Sequence, residues 1–311
     1  MSDLGLTQAA EASAAAAASE VRDWLALLKP RVLTLVVYTG VIGMLVAPGH
    51  VHPVVAVAAI LCITVAAGAC GAINMWYDRD IDVVMRRTRN RPIPAGRIEA
   101  GEALAFGVTL AAFSVLVMYL AANAVAAAVL ALSILFYVFV YTMWLKRRTP
   151  QNIVIGGAAG AFPPVIGWAA ATGAIGPLPL LMFAIVFFWT PPHFWSLSLW
   201  AHEDYERAGV PMLPVVAGAR ETRRQIVIYT LLLVPLSLAP WVLGYTGMIY
   251  GVTAAVLGAG FVFHAARVLR DRQDGKGVSL TRDAPARAAF KFSIYYLFVL
   301  FGALAVDRLV G

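Results

Sequence analysis

Charged residues are scarce in this chain of 311 residues. Only 13% of its residues are Asp, Glu, Lys or Arg, whereas 61% are hydrophobic. A soluble domain is about half apolar and has about 25% charged residues, so the composition excludes a soluble globular protein. The mean hydropathy of +0.78 indicates an integral membrane protein.

Cysteine is rarer still, with two residues, and basic residues are missing from the first part of the chain. Cys62 and Cys70 have no spacing typical of a metal or redox site, so we interpret them as small apolar packing residues. Residues 1–21 contain no Lys or Arg, which fits neither a signal peptide nor a transit peptide. We therefore expect a flexible tail over 1–21 and a single transmembrane domain over 22–311.

Long apolar runs account for most of the remaining chain. A helix needs about 17–25 apolar residues to cross the hydrocarbon of a bilayer. Nine segments reach this length: 32–48, 54–77, 103–121, 124–145, 152–172, 178–200, 226–246, 248–266 and 290–306. The sequence therefore predicts an all-α polytopic membrane protein with about nine transmembrane helices.

The positive charges fall on one side of these predicted spans. Of the 24 Lys and Arg residues, only Arg308 lies on the opposite side. The positive-inside rule then predicts an inner-membrane protein with its N-terminus and large loops in the cytoplasm and its C-terminus in the periplasm. The net charge of +7 is explained by this topology and requires no nucleic acid partner.

The second predicted span ends in a group of acidic residues. Asn74, Asp78 and Asp82 are spaced four residues apart and share one helical face, whereas Asp80 lies off this face. Carboxylates at membrane depth are costly unless they bind something. A stripe of oxygen ligands suits Mg²⁺, which takes one or two carboxylates together with phosphate oxygens and water. The alternative is a solvated helix end.

Basic residues follow this stripe directly, in a segment rich in proline. Pro92, Pro94 and Gly96 predict a non-helical path there, and a rigid loop that holds guanidinium groups suits phosphate binding. Topology alone is the alternative explanation for these charges, and for Lys146 at the end of the fourth span. The arginines are Arg86, Arg87, Arg89, Arg91 and Arg97.

One histidine lies deep within an apolar span. His193 follows Pro191 and Pro192, which predict a helix break, and irregular backbone at membrane depth normally lines a cavity. An imidazole in such a place can bind iron or move a proton, whereas the alternative is a packing histidine. The aromatic side chains expected to line the same cavity are Tyr77, Phe162, Phe194 and Trp195.

A second acidic motif suggests an internal repeat. The sixth span ends in His202-Glu203-Asp204-Tyr205-Glu206-Arg207, four spans after the first motif, and the fourth and eighth spans both end in basic residues. Repeats in membrane proteins commonly build their site where they meet. We therefore expect two similar four-helix halves around a central cavity, with a ninth helix added. The two acidic motifs would face each other, capped by the loops 83–102 and 203–225.

These motifs resemble those of the UbiA-type intramembrane prenyltransferase superfamily. The resemblance narrows to the branch that farnesylates protohaem IX, although Ala208 stands where the wider superfamily has an Asp. This departure leaves Glu203 or Glu206 as acidic partners of Asp204. The matching segments are Asn74–Asp82, Arg89–Arg97, Leu145–Asn152, Gly156-Gly157, Phe162–Trp168, Trp189–Phe194 and Asp204–Pro214.

The resemblance implies a UbiA-like fold, the substrates and a set of site residues. Farnesyl diphosphate and haem B would give haem O and pyrophosphate for haem–copper terminal oxidases. Haem A synthase or oxidase assembly factors would be partners. Mg²⁺, bound by Asp78, Asp82 and Asp204, would be the cofactor, with Asn74 and Lys146 also catalytic. Arg31, Arg86, Arg89, Arg91 and Lys146 would bind the diphosphate, and His193 the haem.

Two alternatives remain on sequence grounds. A UbiA-type enzyme could act on an aromatic quinone or chlorophyll precursor, but the segments around His193 and Asp204 argue against such an acceptor. A transporter could carry protons or ions on its acidic residues. Here, however, the acids and arginines cluster at one end of the spans and do not form a path across the bilayer.

Overall fold

Helices make up almost all of the structure. It is a computed structural model that describes residues 19–275 and 277–310, without the side chains of Arg31 and Val32. The tail predicted over 1–21 therefore lies largely outside the described residues. Within the described ranges there is no β-strand, and Gln273 and Ser279 form an isolated bridge.

Among the described residues, eight helices are long and apolar enough to cross a bilayer, which confirms the predicted all-α polytopic class. The first predicted span, 32–48, forms a shorter helix of 16 residues, α2. The spanning helices are α3 (Pro53–Tyr77), α5 (Ala100–Ala121), α6 (Ala124–Leu145), α7 (Asn152–Thr172), α8 (Pro177–Trp200), α11 (Gly218–Val242), α12 (Met248–Leu269) and α13 (Ala284–Val310). The shorter helices are α1 (Val21–Leu27), α2 (Pro30–Leu45), α4 (Arg79–Val84), α9 (His202–Arg207) and α10 (Leu213–Val216).

Paired prolines lie inside two of these helices without ending them. Pro191 and Pro192 are internal to α8, which continues to Trp200, so the predicted helix break is wrong. Each proline removes a backbone donor, but packing against neighbouring helices compensates for this loss in a helical bundle. The helices α7, α11 and α13 pack along α8.

The second large loop is also more helical than predicted. The helices α9 and α10 fall within the predicted loop 203–225, and α11 begins at Gly218, well before position 226. The polar start of α11 carries charged residues that hide its helical character in a search for apolar runs. The second loop is therefore built mostly from short helices and the start of α11.

Two apolar clusters divide the bundle, but the division differs from the predicted halves, because the fifth span, α7, lies mainly in the first cluster and the ninth, α13, is part of the second. One cluster joins α3, α5, α6 and α7, and the other joins α8, α11, α12 and α13. Residues of α2 and α7 belong to both clusters, and these two helices pack against each other. The first helix of each predicted half therefore lies at the boundary between the two clusters.

Both cysteines are buried and free, as expected of packing residues.

Glycines allow α2 and α7 to touch through their backbones. A Cβ atom added to Gly43 would lie 2.2 Å from the Pro164 carbonyl oxygen. One added to Gly167 would lie 2.0 Å from the Gly40 carbonyl oxygen. Small residues permit this close approach of membrane helices. The contact fixes the distance between the two halves.

Gly167→Ala should therefore destabilise the protein, because the new methyl group has no room against α2. Overpacking of this kind costs about 1–3 kcal/mol. Gly160→Ala, on the same helix, is the matched control, since its Cβ would meet no atom within 4 Å. Thermal unfolding in detergent should show a melting temperature below that of the wild type for Gly167→Ala and an unchanged melting temperature for Gly160→Ala. Equal melting temperatures for the two variants would contradict the tight crossing.

Candidate active site

The first acidic stripe lies where α3 passes into α4, and it is buried. Asp78 is 0% exposed, Asp82 2% and Asn74 4%. Backbone hydrogen bonds from Asp78 to Asn74 and from Asp82 to Asp78, both 2.9 Å, keep helical spacing through the joint. The three side chains therefore share one face, and Asn74 Nδ2 donates to Asp78 Oδ2 at 2.7 Å.

Cationic side chains neutralise both buried carboxylates. Lys146 Nζ pairs with Asp78 Oδ2, and Arg147 Nη2 lies 3.4 Å from Asp78 Oδ1. Arg91 Nη1 lies 2.7 Å from Asp82 Oδ2. A buried carboxylate without such partners would be strongly unfavourable. Lys146 and Arg91, both predicted as diphosphate ligands, thus converge on the acidic stripe.

Lys29 is a further cation in this cluster. In the sequence, its positive charge is explained by membrane topology alone. Its Nζ donates to Asn74 Oδ1 at 2.6 Å. The residue precedes α2 with φ of 53°, a left-handed backbone that is uncommon outside glycine. Burial, followed by the charges of Arg91 and Lys146, lowers the pKa of Lys29 to about 7. A bound anion would favour the charged form of Lys29.

The end of α6 forms a π-helix that positions Lys146. Residues Phe136–Leu145 are π-helical, and Lys146 N donates to the Tyr141 carbonyl at 2.9 Å. Asn152 Nδ2 donates to the Lys146 carbonyl at 3.1 Å. Helical segments of this kind are rare and frequent at functional sites. No sequence pattern indicates one here.

Asp80 lies off the acidic stripe, as predicted, and orients Arg147. Its two carboxylate oxygens each lie 2.7 Å from an Arg147 nitrogen. The Arg147 guanidinium lowers the pKa of the Asp80 carboxyl. Arg147 Nη2 also donates to the Tyr77 carbonyl at 3.0 Å, and its guanidinium lies 4.9 Å from the centre of the Tyr77 ring. Arg147 is thus held between the helix end and the stripe.

The arginine loop after α4 takes the non-helical path that its prolines predict. Arg97 N donates to the Pro92 carbonyl at 2.9 Å, and Gly96 has φ of +71°. Arg97 Nε lies 2.8 Å from Asp23 Oδ1, so the loop is tied to α1. Arg97 therefore braces the loop, while Arg91 reaches the stripe.

The other predicted diphosphate ligands are not gathered at the stripe. Arg86 and Arg89 are exposed, and within the described part of the chain neither side chain makes a hydrogen bond or ion pair. The side chain of Arg31 lies outside the described residues. Arg87 Nη2 donates to Tyr205 Oη at 3.3 Å, which joins the arginine loop to the second motif.

Asp204 does not join the first carboxylates. It pairs with Arg207, one turn along α9. Across residues 19–275 and 277–310, no three His, Cys, Asp or Glu side chains form a group that could hold a metal. The predicted set of Asp78, Asp82 and Asp204 is therefore not assembled here. Three close carboxylates repel one another unless a cation lies between them, and here each has its own basic partner.

The geometry combines oxygen donors with an excess of cations in one buried place. Asp78 and Asp82 supply hard oxygen ligands, as Mg²⁺ prefers. The Asn152 side-chain oxygen is buried and has no hydrogen-bond partner among the described residues. It is therefore a further oxygen ligand for a metal ion beside Lys146. Ammonium and guanidinium groups bind phosphate oxygens through charge-assisted hydrogen bonds. The site therefore suits a phosphorylated substrate together with a divalent cation.

Most of the chain, residues 36–305, matches the UbiA prenyltransferase family. The chain belongs to that family. It is 72% identical over 288 residues to a Granulibacter bethesdensis protein named protoheme IX farnesyltransferase, a match that covers 93% of this chain and 91% of the relative. The resemblance inferred from the motifs is thus confirmed.

Solved structures share the fold at low sequence identity. A digeranylgeranylglyceryl phosphate synthase superposes with a TM-score of 0.76 at 19% identity, covering 94% of this chain and 99% of that one. A UbiA homolog from Archaeoglobus fulgidus bound to GPP and Mg²⁺ superposes with a TM-score of 0.65 at 18% identity, covering 91% and 99%. These likenesses confirm the UbiA-like fold.

His193, the predicted haem ligand, lies in an aromatic stack. Its ring centre is 4.3 Å from that of Trp189 and 4.6 Å from that of Phe290. Its Nδ1 lies 2.7 Å from Ser293 Oγ. These are the contacts of a packed histidine, and among the described residues its Nε2 makes no hydrogen bond. The residue is 9% exposed.

Lys29→Met should weaken the binding of inorganic pyrophosphate to the purified protein. A hydrogen bond from a charged group contributes about 1.5–3 kcal/mol, so the loss should be on the order of tenfold or more. Lys291→Met, an exposed lysine on α13, is the matched control and should bind as the wild type does. Calorimetric titration measures both affinities. Equal affinities in the two variants would exclude Lys29 from the anion site.

Proposed function

We propose that this UbiA-family protein transfers the farnesyl group of farnesyl diphosphate to a vinyl group of haem B, giving haem O and pyrophosphate. The observation that carries the proposal is the 72% identity, over 93% of the chain, to a relative named protoheme IX farnesyltransferase. Haem O would serve haem–copper terminal oxidases, with haem A synthase or oxidase assembly factors as partners.

The cations around the acidic stripe would bind the diphosphate. Lys29, Arg91, Lys146 and Arg147 already lie at the stripe. As the allylic C–O bond breaks, negative charge grows on the leaving pyrophosphate, so these groups stabilise the transition state more than the bound substrate. The exposed arginines Arg86 and Arg89, together with Arg31, would add contacts from the loop side.

The acidic residues would hold Mg²⁺, and the donor set fits that ion. Asp78 and Asp82 are the principal ligands in this proposal, with Asp204 from the second motif and Asn74 supporting them. When bound, Mg²⁺ supplies positive charge to the diphosphate oxygens as a Lewis acid. The homolog solved with GPP and Mg²⁺ supports a metal-dependent site on this fold.

The bond changes take place on the two substrates. The farnesyl C1–O bond breaks, and its electron pair leaves with pyrophosphate. The vinyl π electrons then form a C–C bond to C1, which leaves a carbocation on the vinyl carbon next to the porphyrin ring. A water molecule adds its oxygen there and loses a proton, which gives the hydroxyl group of the hydroxyethylfarnesyl side chain.

The apolar bundle would protect the cationic intermediates from other water molecules. Aromatic rings from three spanning helices contact one another along the interior. The Phe162 ring centre is 6.2 Å from that of Phe136 and 5.2 Å from that of Phe183. The faces of such rings stabilise a nearby positive charge.

Incubation of the purified protein with haem B, farnesyl diphosphate and Mg²⁺ tests the proposal directly. Mass spectrometry of the extracted haem should show the mass of haem O, and pyrophosphate should appear in equal amount. A parallel reaction contains an aromatic quinone precursor in place of haem B. Prenylation of that precursor with no change in the haem would favour the other UbiA activity.

Asp78→Asn should lower turnover by roughly a hundredfold or more, because it removes a buried charge where metal and diphosphate meet. Asp80→Asn is the matched control, since the Asp80 side chain is 61% exposed and lies off the stripe. The turnover of Asp80→Asn should fall by less than about tenfold, as expected when an exposed ion pair is removed. Steady-state rates per folded molecule measure both. Similar losses in the two variants would contradict the role of the stripe.

His193→Ala should weaken haem binding while leaving farnesyl diphosphate binding nearly intact. The reason is that the imidazole would contact the haem and takes no part in the acidic cluster. Ser293→Ala removes the partner of Nδ1 but keeps the imidazole, so it should retain most of the haem affinity. Separate titrations of each substrate measure the effects. Unchanged haem affinity in folded His193→Ala, or equal loss for both substrates, would refute the assignment.

We propose an inner-membrane location with the N-terminus and both acidic motifs in the cytoplasm and the C-terminus in the periplasm. Of the 24 Lys and Arg residues, all but Arg308 support this orientation. A reporter fused after Gly311 should therefore read as periplasmic, and one inserted between 271 and 283 as cytoplasmic. Exchanged signals would invert the topology.

A further inference from the structure

A cleft lies at the ends of α12 and α13, on the side of the bundle that carries the acidic motifs. Its volume is about 300 Å³, at the lower end of the range for ligand pockets. None of its lining residues belongs to the prenyltransfer site described above. Its walls include Phe263, Arg267, Arg270, Arg272, Thr281 and Pro285.

Three arginines line this cleft without a carboxylate to neutralise them. Arg267, Arg270 and Arg272 are exposed, and among the described residues none of them forms an ion pair. The acid in the cleft, Asp271, is already engaged. Arg223 Nη2 lies 3.6 Å from its Oδ2, and Thr281 Oγ1 donates to its Oδ1 at 2.6 Å. The cleft therefore carries a net positive charge that suits an anion.

A buried arginine braces the wall of the cleft. Arg223, on α11, is 1% exposed and donates to the Gly277 carbonyl at 2.9 Å. Its Nη2 also lies 3.1 Å from Asp283 Oδ1. These contacts fasten both ends of the connection between α12 and α13 to the start of α11. The exposed arginines are thus displayed from a fixed framework.

Exposed apolar side chains accompany the charged cleft. Phe263 in its wall is 59% exposed, and the connection between α12 and α13 carries Val278, 52% exposed, and Leu280, 62% exposed. The Arg267 guanidinium lies 5.7 Å from the centre of the Phe263 ring. Phe263 belongs to a spanning helix, and exposed apolar residues beside arginines are typical of segments at the boundary between acyl chains and head groups. This combination places the cleft among the candidates for contact with lipid head groups.

We propose that this cleft binds the phosphate of an anionic phospholipid such as phosphatidylglycerol. Arg267, Arg270 and Arg272 bind the head group, and Phe263 and Leu280 contact the acyl chains. Basic pockets between spanning helices are known to bind acidic head groups. The positive-inside rule requires only basic residues on this side, and does not account for a braced cleft with an apolar rim.

Native mass spectrometry of the purified, delipidated full-length protein tests this proposal. The protein is titrated with phosphatidylglycerol and, separately, with phosphatidylcholine. The wild type should bind one phosphatidylglycerol on the order of tenfold more tightly than phosphatidylcholine. The Arg270→Gln/Arg272→Gln variant should lose this preference, because each arginine near the membrane surface contributes several-fold in affinity.

Arg220→Gln/Arg224→Gln is the matched control, since it removes the same charge from the exposed start of α11. It should bind phosphatidylglycerol as the wild type does, and both variants should keep the wild-type melting temperature and prenyl transfer. Equal losses in the two variants, or equal affinity for the two lipids, would overturn the proposal. Inorganic phosphate that binds as tightly as phosphatidylglycerol would overturn the assignment to a lipid.

Discussion

Two carboxylates without solvent contact are the constraint on which the site depends. Asp78 is 0% exposed and Asp82 2%, and an unpaired charge at such depth costs several kcal/mol. The chain meets this cost with cations from separate segments, Lys146 and Arg147 after α6 and Arg91 in the loop after α4. Electrostatic neutralisation therefore also fixes how these segments meet.

In the proposed site, the same ion pairs would account for the binding of both substrate charge and metal. The cations that neutralise the stripe are groups that bind phosphate oxygens, and the carboxylates are ligands that suit Mg²⁺. Binding of the two together would exchange internal ion pairs for contacts with the incoming charges, so no buried charge would be left without a partner. Burial, followed by its cationic neighbours, lowers the pKa of Lys29 to about 7, so a bound anion would favour its charged form.

The structural features that could be predicted from the sequence depend on residues that are close together in the chain. The spacing of Asn74, Asp78 and Asp82 gives a shared helical face whatever surrounds it, and apolar length predicts the spanning helices. The hydrogen bond from Lys29 to Asn74 joins residues 45 positions apart, which no local pattern encodes. The continuity of α8 through Pro191 likewise depends on packing by distant helices, so a local rule predicted a break.

The central claim is that the buried stripe binds diphosphate and a divalent cation together. Calorimetric titration of the purified protein with inorganic pyrophosphate, in Mg²⁺ buffer and after chelation with EDTA, tests it most directly. The account predicts tight binding in Mg²⁺, a large loss of affinity after chelation and recovery when Mg²⁺ is restored. Pyrophosphate binding of the same affinity in excess EDTA would contradict it.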